Sequence, residues 1–429
     1  MTADYITFGC KVNVYETEQI RELLFSVGFT PAEDGNADVY IVNSCAVTAQ
    51  SAAKVRRRLS SLRREHPESV IVLTGCLGQA FPDAAGLLKD ADIVTGNKNN
   101  AALPDLVDEF LKTRERIVRI EPHEKGEDIG LAGITRSEGH TRAFVKIQDG
   151  CDRFCSYCII PYARGRQRSR PIAELRNELG AIRASGYKEV VLTGINLTAY
   201  DGGDGADFVT AVSAASSAGF ERVRLGSLEP DDISAEQIGR LAAIDGFCPH
   251  FHISLQSGSD AVLKKMNRRY TASDFSDLAG RLRSAFPDCA LTTDVICGFP
   301  GETDADFAET LAFVKKIAFE KVHVFPFSAR EGTPAAKFAQ QIPKAVKTER
   351  CRLLSECANE LRRDHFMSLA GKTLPVLLES RRNGVYKGYT ENYTPVEAPH
   401  PDGGLTGEIV QVDIIGSRGC DVCTGKLRL

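Results

Sequence analysis

The sequence predicts an α/β fold made of two successive strand–helix units, followed by a small all-β unit. In residues 1 to about 120, short apolar runs alternate with amphipathic helical patterns. A second and longer series of the same kind begins near residue 140. From Gly371 onward, short apolar stretches are separated by Gly or Asn, which is typical of small β-barrels.

The first unit contains predicted strands that alternate with predicted helices. The strands cover 5–8, 39–42, 70–73 and 93–94, and the helices cover 14–27, 46–64, 79–88 and 101–111. Alternation at this spacing predicts an open parallel sheet flanked by helices. We assign residues 1–120 to this domain, and the polar, Gly-rich stretch 114–142 reads as a linker.

The second unit repeats the alternation over residues 140–368. Its strands cover 143–148, 190–193, 223–226, 251–255, 291–296 and 321–325, and its helices cover 172–185, 208–218, 235–243, 274–285 and 305–317. Strand–helix units in this number predict a parallel sheet that is either open or curled into a partial barrel, and periodicity does not decide between the two. A long, charged helix over 344–369 ends the unit.

The third unit, residues 369–429, reads as a small all-β barrel. Its predicted strands cover 374–378, 385–388, 395–398, 408–415 and 426–429. Short strands with turn residues between them are typical of such barrels.

The composition excludes several classes of protein. No apolar run approaches the ~20 residues that cross a bilayer, and no basic and then apolar stretch opens the chain, so we expect a cytoplasmic protein without a membrane partner. A net charge of −4 argues against a wholly basic nucleic-acid binder but allows a local basic face. Without export, the 13 cysteines are better explained by metal or redox chemistry than by disulfides.

One group of cysteines lies in the short segment CDRFCSYC, at Cys151, Cys155 and Cys158. Three thiolates can hold three irons of a [4Fe–4S] cluster and leave the fourth iron open to an exogenous ligand. A closed zinc site would need a fourth protein ligand, and no His or Cys follows within several residues. We therefore predict an iron–sulfur cluster here, with a structural zinc loop or chance clustering as the alternative.

A second group comprises Cys10, Cys45 and Cys76, each of which directly follows an apolar predicted strand. In a parallel sheet, the carboxyl ends of such strands lie at one edge, where ligands bind in open α/β folds. The pattern predicts a second iron–sulfur cluster, again with one open iron. The alternative is that these thiols are buried small hydrophobes.

Longer segments around both groups carry a family resemblance. They include TFGCKVNVYETE, IVNSCAVT, LTGCLGQ, KIQDGCDRFCSYCIIPYARG, HISLQSGSDAVLKKMNRRY and FPFSAREGTPA. Over essentially its whole length, the chain resembles the methylthiotransferase family of the radical S-adenosylmethionine (SAM) superfamily. It is most similar to the MtaB type, which modifies N6-threonylcarbamoyladenosine in tRNA. The alternatives are the MiaB type, which acts on isopentenyladenosine, and the RimO type, which acts on an Asp of a ribosomal protein.

The resemblance implies a radical SAM partial (β/α)6 barrel in the second unit and a TRAM RNA-binding barrel in the third. It implies two [4Fe–4S] clusters and SAM as cofactors, with Cys151, Cys155 and Cys158 serving catalysis. One SAM methylates a sulfur held at the N-terminal cluster, and a second yields the radical that activates carbon-2 of the adenine. The implied partners are tRNA, an electron donor such as flavodoxin or ferredoxin, and a sulfur source. A non-catalytic iron–sulfur RNA-binding protein is the alternative of another class, but three-Cys ligation argues against it.

Candidate cofactor-binding residues lie at the ends of the strands of the second unit. They are Gly194, Glu229, Ser254, Gln256 and Asp294. The resemblance adds Tyr157, just before Cys158, which matches the aromatic that commonly packs near the adenine of SAM. A polar side chain at the carboxyl end of a buried strand is costly unless it is paired, which favours a ligand-facing role. Capping of the next helix is the alternative for Ser254 and Asp294, and filling of the core is the alternative for Tyr157.

Candidate RNA contacts lie in two places. Arg164, Arg166, Arg168 and Arg170 alternate along RGRQRSR, and Tyr389 and Tyr393 lie in the third unit. Arginines can guide a phosphate backbone, and tyrosines can stack on bases. The tyrosines could instead form the core and rim of a small barrel.

Two features depart from the family pattern. Val14 stands where the MtaB type usually has Gln. Cys420 and Cys423 form a C-x-x-C pair that the family does not require, and we interpret them as spare thiols.

Overall fold

The computed structural model describes residues 1–32, 35–131 and 133–428. It contains two parallel α/β units and a closed C-terminal β-barrel, which confirms the predicted fold class. In these described ranges, no helix is both long and apolar enough to cross a membrane.

The N-terminal unit is a six-stranded parallel sheet in the order β2-β1-β3-β4-β5-β6. Its elements are β1 (Thr2–Thr7), α1 (Lys11–Ser26), β2 (Thr30–Pro31), β3 (Val39–Ser44), α2 (Ala49–Glu65), β4 (Val70–Gly75), α3 (Cys76–Ala80), α4 (Pro82–Gly86), β5 (Ile93–Thr95), α5 (Leu103–Thr113) and β6 (Ile117–Arg119). Apolar clusters cover both faces of the sheet, which explains why its central strands are continuously hydrophobic.

Two details of this unit differ from the prediction. The predicted helix over 79–88 is two short helices, α3 and α4, with Pro82 at the start of the second. Proline lacks the backbone N–H and its ring clashes with the preceding turn, so the helix breaks there. The edge strands β2 and β6 were missed because they have two and three residues and no apolar run.

The central unit contains a short first helix, α6, and six further helices, which alternate with parallel strands and one short antiparallel pair, β8 and β9. Its elements are β7 (Arg142–Lys146), β8 (Gln148–Asp149), α6 (Ile160–Arg164), β9 (Arg168–Ser169), α7 (Ile172–Ala184), β10 (Glu189–Thr193), α8 (Phe208–Ser217), β11 (Arg222–Leu225), β12 (Ser227–Leu228), α9 (Ala235–Ala242), β13 (His250–Ile253), α10 (Asp260–Lys265), α11 (Ala272–Ala285), β14 (Ala290–Cys297), α12 (Asp304–Ile317) and β15 (Lys321–Pro326).

The strand order decides between an open sheet and a curled one. The parallel strands run in sequence order, β7-β10-β11 and then β12-β13-β14-β15, and only Gly226 separates β11 from β12. A strand order without reversal is that of a β/α barrel rather than a doubly wound sheet. Alternate side chains of the strands, such as Phe251 and Val295, join the large apolar core with the helices. The opposite faces line the interior of the partial barrel.

The long helix α13 (Lys344–Ser368) leads into the C-terminal barrel. Its strands are β16 (Thr373–Arg382), β17 (Val385–Thr390), β18 (Pro395–Pro399), β19 (Ile409–Arg418) and β20 (Val422–Arg428), closed in the order β16-β17-β18-β20-β19. The last predicted strand extended to Leu429, which lies outside the described residues. Arg222 donates to the carbonyls of Tyr389 (3.0 Å) and Pro375 (2.7 Å), so this barrel docks on the central one.

Candidate active site

The N-terminal cysteine triad lies at one edge of the first sheet. Cys10 follows β1 and precedes α1, Cys45 follows β3, and Cys76 begins α3 directly after β4. Because β1, β3 and β4 are neighbours in a parallel sheet, the three thiols come from adjacent carboxyl ends, as the sequence predicted.

Two glycines allow the three loops to approach one another. Gly9 has a φ of +118°, and a Cβ there would lie 3.1 Å from the Cβ of Cys45. Gly75 has a φ of +91°, and a Cβ there would lie 2.7 Å from the backbone N of Ser44. Only glycine tolerates both the backbone conformation and the close contact at these positions.

The second triad lies on the loop between β8 and α6. The backbone N of Cys158 donates to the carbonyl of Cys155 at 2.9 Å, which folds the loop on itself. Ser156 ties the loop to the end of α10, since its N donates to Met266 O (3.0 Å) and its Oγ to Lys265 O (2.8 Å). The loop that carries Cys151, Cys155 and Cys158 is therefore fixed to the barrel at its centre.

The spread of the sulfurs distinguishes between a single ion and a cluster. Thiolates around one zinc ion lie about 3.8 Å apart, given Zn–S bonds of about 2.3 Å. Within the described part of the chain, the one group of three possible ligands whose atoms all lie within 4.8 Å of one another is His252, Asp294 and His323. The sulfurs of each triad are thus too widely spaced for one ion, whereas a [4Fe–4S] cube takes each sulfur ligand on a separate iron and does not require them to lie this close.

Burial keeps several of these thiols protonated. It raises the pKa of Cys76 to about 12 and that of Cys151 to about 11, and it also raises the pKa values of Cys45 and Cys158. Such thiols lose their protons when iron binds, so filling either site releases protons.

A charged residue that the sequence analysis missed, Arg268, contacts the second triad. Its Nη1 donates to the Sγ of Cys155 at 3.3 Å, and its guanidinium forms an ion pair with Glu229. Its Nη2 also donates to the carbonyl of Ser254 at 3.1 Å. Arg268 follows α10 in the segment MNRRY, where nothing in the sequence distinguishes it from its neighbour Arg269.

The other predicted cofactor residues lie near this point with differing surroundings. Gln256 has a left-handed φ of +65° and its backbone bridges to Asp294 O at 2.8 Å. Tyr157 packs edge-on against Phe299, with ring centroids 6.4 Å apart. A Cβ at Gly194 would lie 3.0 Å from Gln148, so packing against the protein itself explains that glycine.

A buried ion-pair network joins the two triads. Arg164, six residues after Cys158, donates to Glu16 at 2.8 and 3.0 Å and to Asp149 at 3.0 Å. Lys146 donates to the same two carboxylates at 3.0 and 2.9 Å. Glu16 lies in α1, six residues after Cys10, and Asp149 lies two residues before Cys151. The network therefore fixes the two triads relative to each other.

The structure places most of the candidate RNA contacts in the interior. Arg164 is fully buried in the network, and Arg170 is buried against Glu178 (2.8 Å). Arg168 turns back to donate to Arg164 O at 2.6 Å, whereas Arg166 remains exposed. The prediction that Arg164 and Arg170 contact RNA is therefore wrong. In the sequence they look solvent-exposed, but their guanidinium groups pair with the buried carboxylates of Glu16 and Glu178.

The two tyrosines of the C-terminal unit also face the protein. The rings of Tyr389 and Tyr393 stack on each other with centroids 4.7 Å apart. The guanidinium of Arg142, at the start of β7, lies 5.0 and 4.8 Å from the two ring centroids. These rings therefore fill the contact between the two barrels instead of an RNA-facing surface. Of the C-x-x-C pair, Cys423 is buried in the core of the C-terminal barrel.

Comparison with known families divides the chain into two matched segments. Residues 145–314 match the family described as the Radical SAM superfamily. Residues 2–96 match a family described as Uncharacterized protein family UPF0004. The first match contains the second triad, and the second match contains all three cysteines of the N-terminal triad.

Curated relatives match nearly the whole chain. The threonylcarbamoyladenosine tRNA methylthiotransferase MtaB of Thermotoga maritima is 41% identical over 394 residues, which cover 91% of this chain and 90% of the relative. The tRNA-2-methylthio-N(6)-dimethylallyladenosine synthase of Clostridium novyi is 38% identical over 383 residues, with 87% and 84% covered.

A solved structure supports the fold. The radical S-adenosylmethionine methyltransferase TsrM from Kitasatospora setae aligns with a TM-score of 0.54 at 14% identity, covering 90% of this chain and 80% of that chain. At this low identity, the match shows a shared fold and nothing about the reaction.

Proposed function

Because the chain belongs to the tRNA methylthiotransferase family of radical SAM enzymes, we propose that it inserts a methylthio group at carbon-2 of N6-threonylcarbamoyladenosine, next to the anticodon of tRNA. The observation that carries the proposal is the pair of cysteine triads, joined by a buried ion-pair network within one chain. The 41% identity with a relative named for this substrate supports the choice of nucleoside.

The cofactors are SAM and [4Fe–4S] clusters, with the two triads as the proposed ligand sets. When bound, the clusters would supply the electron that cleaves SAM to a carbon-centred radical, and they would hold the sulfur that is inserted. A radical is needed because an aromatic C–H bond is too inert for polar attack.

The protein's own groups prepare this chemistry. Arg268 donates a hydrogen bond to the Sγ of Cys155, and hydrogen bonds to ligand sulfurs tune the reduction potential of a cluster. Glu229 holds the guanidinium of Arg268 by an ion pair and so fixes the direction of that bond. The apolar contact among Ala46, Cys76 and Ile159 excludes water from between the triads.

The proposed SAM contacts surround the second triad. Glu229, Ser254 and Gln256 follow neighbouring strands of the barrel and offer acceptors and donors for the polar groups of SAM. Tyr157, one residue before Cys158, and Gly194, which directly follows β10, complete the proposed set of SAM contacts. An external electron donor such as flavodoxin or ferredoxin and a sulfur source complete the proposed reaction.

Mass spectrometry of tRNA nucleosides tests the proposal. In cells that lack this protein, the methylthio form of threonylcarbamoyladenosine should disappear, and the wild-type chain should restore it. The triple variant Cys151→Ala, Cys155→Ala, Cys158→Ala should not restore it, whereas the control variant Cys420→Ser should. Loss of the methylthio form of dimethylallyladenosine instead would contradict the proposed substrate.

A further inference from the structure

Three polar side chains on neighbouring strands lie together inside the central barrel. We call His252 (β13), Asp294 (β14) and His323 (β15) the inner polar cluster. Asp294 and His323 are direct partners in the parallel register, and His252 is paired with Thr292. Since side chains alternate along a strand, Thr292 and Asp294 share a face, and the cluster lies on the side opposite the helix-covered core.

The members of the inner polar cluster are close enough to act on one ligand. Their ligand-forming atoms all lie within 4.8 Å of one another, and Nε2 of His252 is 3.4 Å from Oδ2 of Asp294. Nδ1 of His252 lies 3.0 Å from Oγ1 of Thr292, which fixes the orientation of the ring. All three residues are only partly buried, so part of each side chain remains accessible.

Two chains of contacts connect the inner polar cluster with the cysteine triads. Ser254 is two residues further along the chain from His252, a span of about 6.6 Å in an extended chain, and its carbonyl accepts from Arg268, which contacts Cys155. On the other side, Lys11 directly follows Cys10, and its Nζ lies 5.8 Å from the ring centroid of Tyr393. That ring is in turn 4.9 Å from the ring of His250 in β13.

The surrounding charges are mainly positive. The charges that act on His323 are, in order of strength, those of Lys321, Asp294, His252 and Arg362. On His250, at the start of the same strand as His252, the strongest are Arg224 and Lys11. A divalent cation would meet repulsion here with one carboxylate to hold it, whereas a ligand that carries its own carboxylate would be attracted.

We propose that the inner polar cluster, together with Lys11, binds the threonylcarbamoyl arm of the substrate nucleoside and selects that arm over an apolar N6 substituent. The inference rests on the proposed function and deepens it. It also moves Asp294 from the predicted SAM contacts to the substrate subsite, because Asp294 pairs with His252.

The chemistry of the arm matches the groups in place. A threonylcarbamoyl arm carries amide N–H donors, a carbonyl, a hydroxyl and a carboxylate. Asp294 can accept from an N–H or the hydroxyl, and Lys11 can pair with the carboxylate. Burial lowers the pKa of His323 to about 4, so its neutral imidazole offers one donor and one acceptor at pH 7.

An apolar arm would fit the same subsite poorly. A dimethylallyl group has no polar atom, so it would leave the inner polar cluster desolvated and unpaired. Sites built to hydrogen-bond a substrate reject an analogue without those groups by roughly 10⁴-fold or more.

The test uses the reconstituted enzyme and three anticodon stem–loop RNAs. The first carries threonylcarbamoyladenosine, the second its methyl ester, and the third dimethylallyladenosine. The variants are His323→Phe, its conservative counterpart His323→Gln, and the control His66→Phe. His66 follows α2 at the opposite edge of the N-terminal sheet from the cysteines. The iron content of each variant is measured first.

On the first RNA, His323→Phe should lower kcat/KM roughly 10- to 100-fold, because it leaves a polar group of the bound arm without its hydrogen-bond partner. His323→Gln should recover most of this loss, and His66→Phe should match the wild type. The methyl ester should also be a poorer substrate for the wild type, because it lacks the negative charge. The ratio of activity on the third RNA to activity on the first should rise in His323→Phe.

Two results would overturn the inference. One is an equal fall of His323→Phe on all three RNAs, which would mark a structural role. The other is a stoichiometric metal ion beyond the cluster irons that is lost in His323→Phe, which would make the inner polar cluster a metal site. If the wild type modified the third RNA and not the first, the proposed function itself would fail, and this result is distinguishable from both.

Discussion

Arg164 and Glu16 form a bidentate ion pair across the boundary between the two α/β units, with N–O distances of 2.8 and 3.0 Å. Both side chains are almost completely buried, at 1% and 4% exposure. Each lies one or two turns beyond a predicted cluster ligand, Glu16 after Cys10 and Arg164 after Cys158. This bidentate ion pair therefore fixes the distance between the two triads, which does not depend on the linker between the two units.

Breaking this pair should be costly. We expect Arg164→Met to lower the free energy of unfolding by about 3–5 kcal/mol, because it leaves the buried carboxylate of Glu16 with Lys146 as its partner and that of Asp149 with Lys146 and Arg168. Urea denaturation followed by circular dichroism measures the change. The control is Arg352→Met on α13, whose ion pairs are exposed and screened by solvent, so that this variant should unfold close to the wild-type midpoint. Equal midpoints for both variants would contradict the role of the network.

The second triad should carry the radical chemistry. Replacing Cys151, Cys155 and Cys158 with Ala should reduce the iron content from about eight to about four per chain and abolish the formation of 5′-deoxyadenosine from SAM. Iron analysis and chromatography of the products test this. Cys420→Ser serves as the control thiol. Continued SAM cleavage by the triple variant would refute the assignment of the ligands.

The N-terminal triad should serve sulfur insertion alone. Replacing Cys10, Cys45 and Cys76 with Ala should stop methylthiolation of tRNA and leave SAM cleavage measurable, because the residues around the second triad lie in another unit. Both activities are followed in the same reaction. Methylthiolation that persists at the wild-type rate would contradict the proposed cluster at the N-terminal triad.

The sequence predicted the positions of the cysteines well because their signal is local. Each cysteine of the first triad follows an apolar strand, and the second triad is contained in one loop. The parallel register then brings the strand ends together without any information from long-range contacts. The strand–helix alternation was equally informative, so the class of fold followed from pattern alone.

What the sequence could not predict depends on partners far away in the chain. Arg164 looks like part of an exposed basic loop, but its partner Glu16 is 148 residues away. Arg268 contacts Cys155 over 113 residues of chain. The orientation of His323 toward Asp294 required the register of two strands, which periodicity does not fix.

Glu320 should make the stability depend on pH. Burial raises the pKa of Glu320 from 4.5 to about 7, and its Oε1 accepts from Oγ1 of Thr394 at 3.5 Å. Between these two pKa values the folded state binds more protons than the unfolded state, so stability falls as the pH rises through this window. Glu320→Gln removes the ionisable group. The melting temperature of Glu320→Gln minus that of the wild type should therefore increase between about pH 5 and about pH 8.

Thermal melts across this range test the expectation, with the exposed Glu174→Gln as the control. A constant difference between Glu320→Gln and the wild type would show that Glu320 does not titrate in this window.

An exposed aromatic and basic surface beside the second triad should contact tRNA. Tyr162 and Phe154 are 47% and 36% exposed, with ring centroids 6.2 Å apart, and the guanidinium of Arg166 lies 4.8 Å from the centroid of Phe154. These side chains line a cavity of about 500 Å³. Such a surface combines a stacking platform with a phosphate contact, whereas the half-buried Tyr389 and Tyr393 of the C-terminal barrel stack on each other.

Tyr162→Ala should weaken tRNA binding by about 1–3 kcal/mol if one base stacks on this ring. Arg166→Ala should reduce the slope of log Kd against log salt by about 0.7, because one phosphate contact is lost from a single-stranded loop. Fluorescence anisotropy with labelled tRNA at several salt concentrations measures both effects. Arg352→Ala, on the exposed face of α13, is the matched control and should leave the affinity and the slope unchanged. Any base or phosphate placed beside the loop of the second triad would contact Tyr162 or Arg166. If Tyr162→Ala and Arg166→Ala both bind tRNA as the wild type does, then tRNA approaches the cysteine triads across a different face.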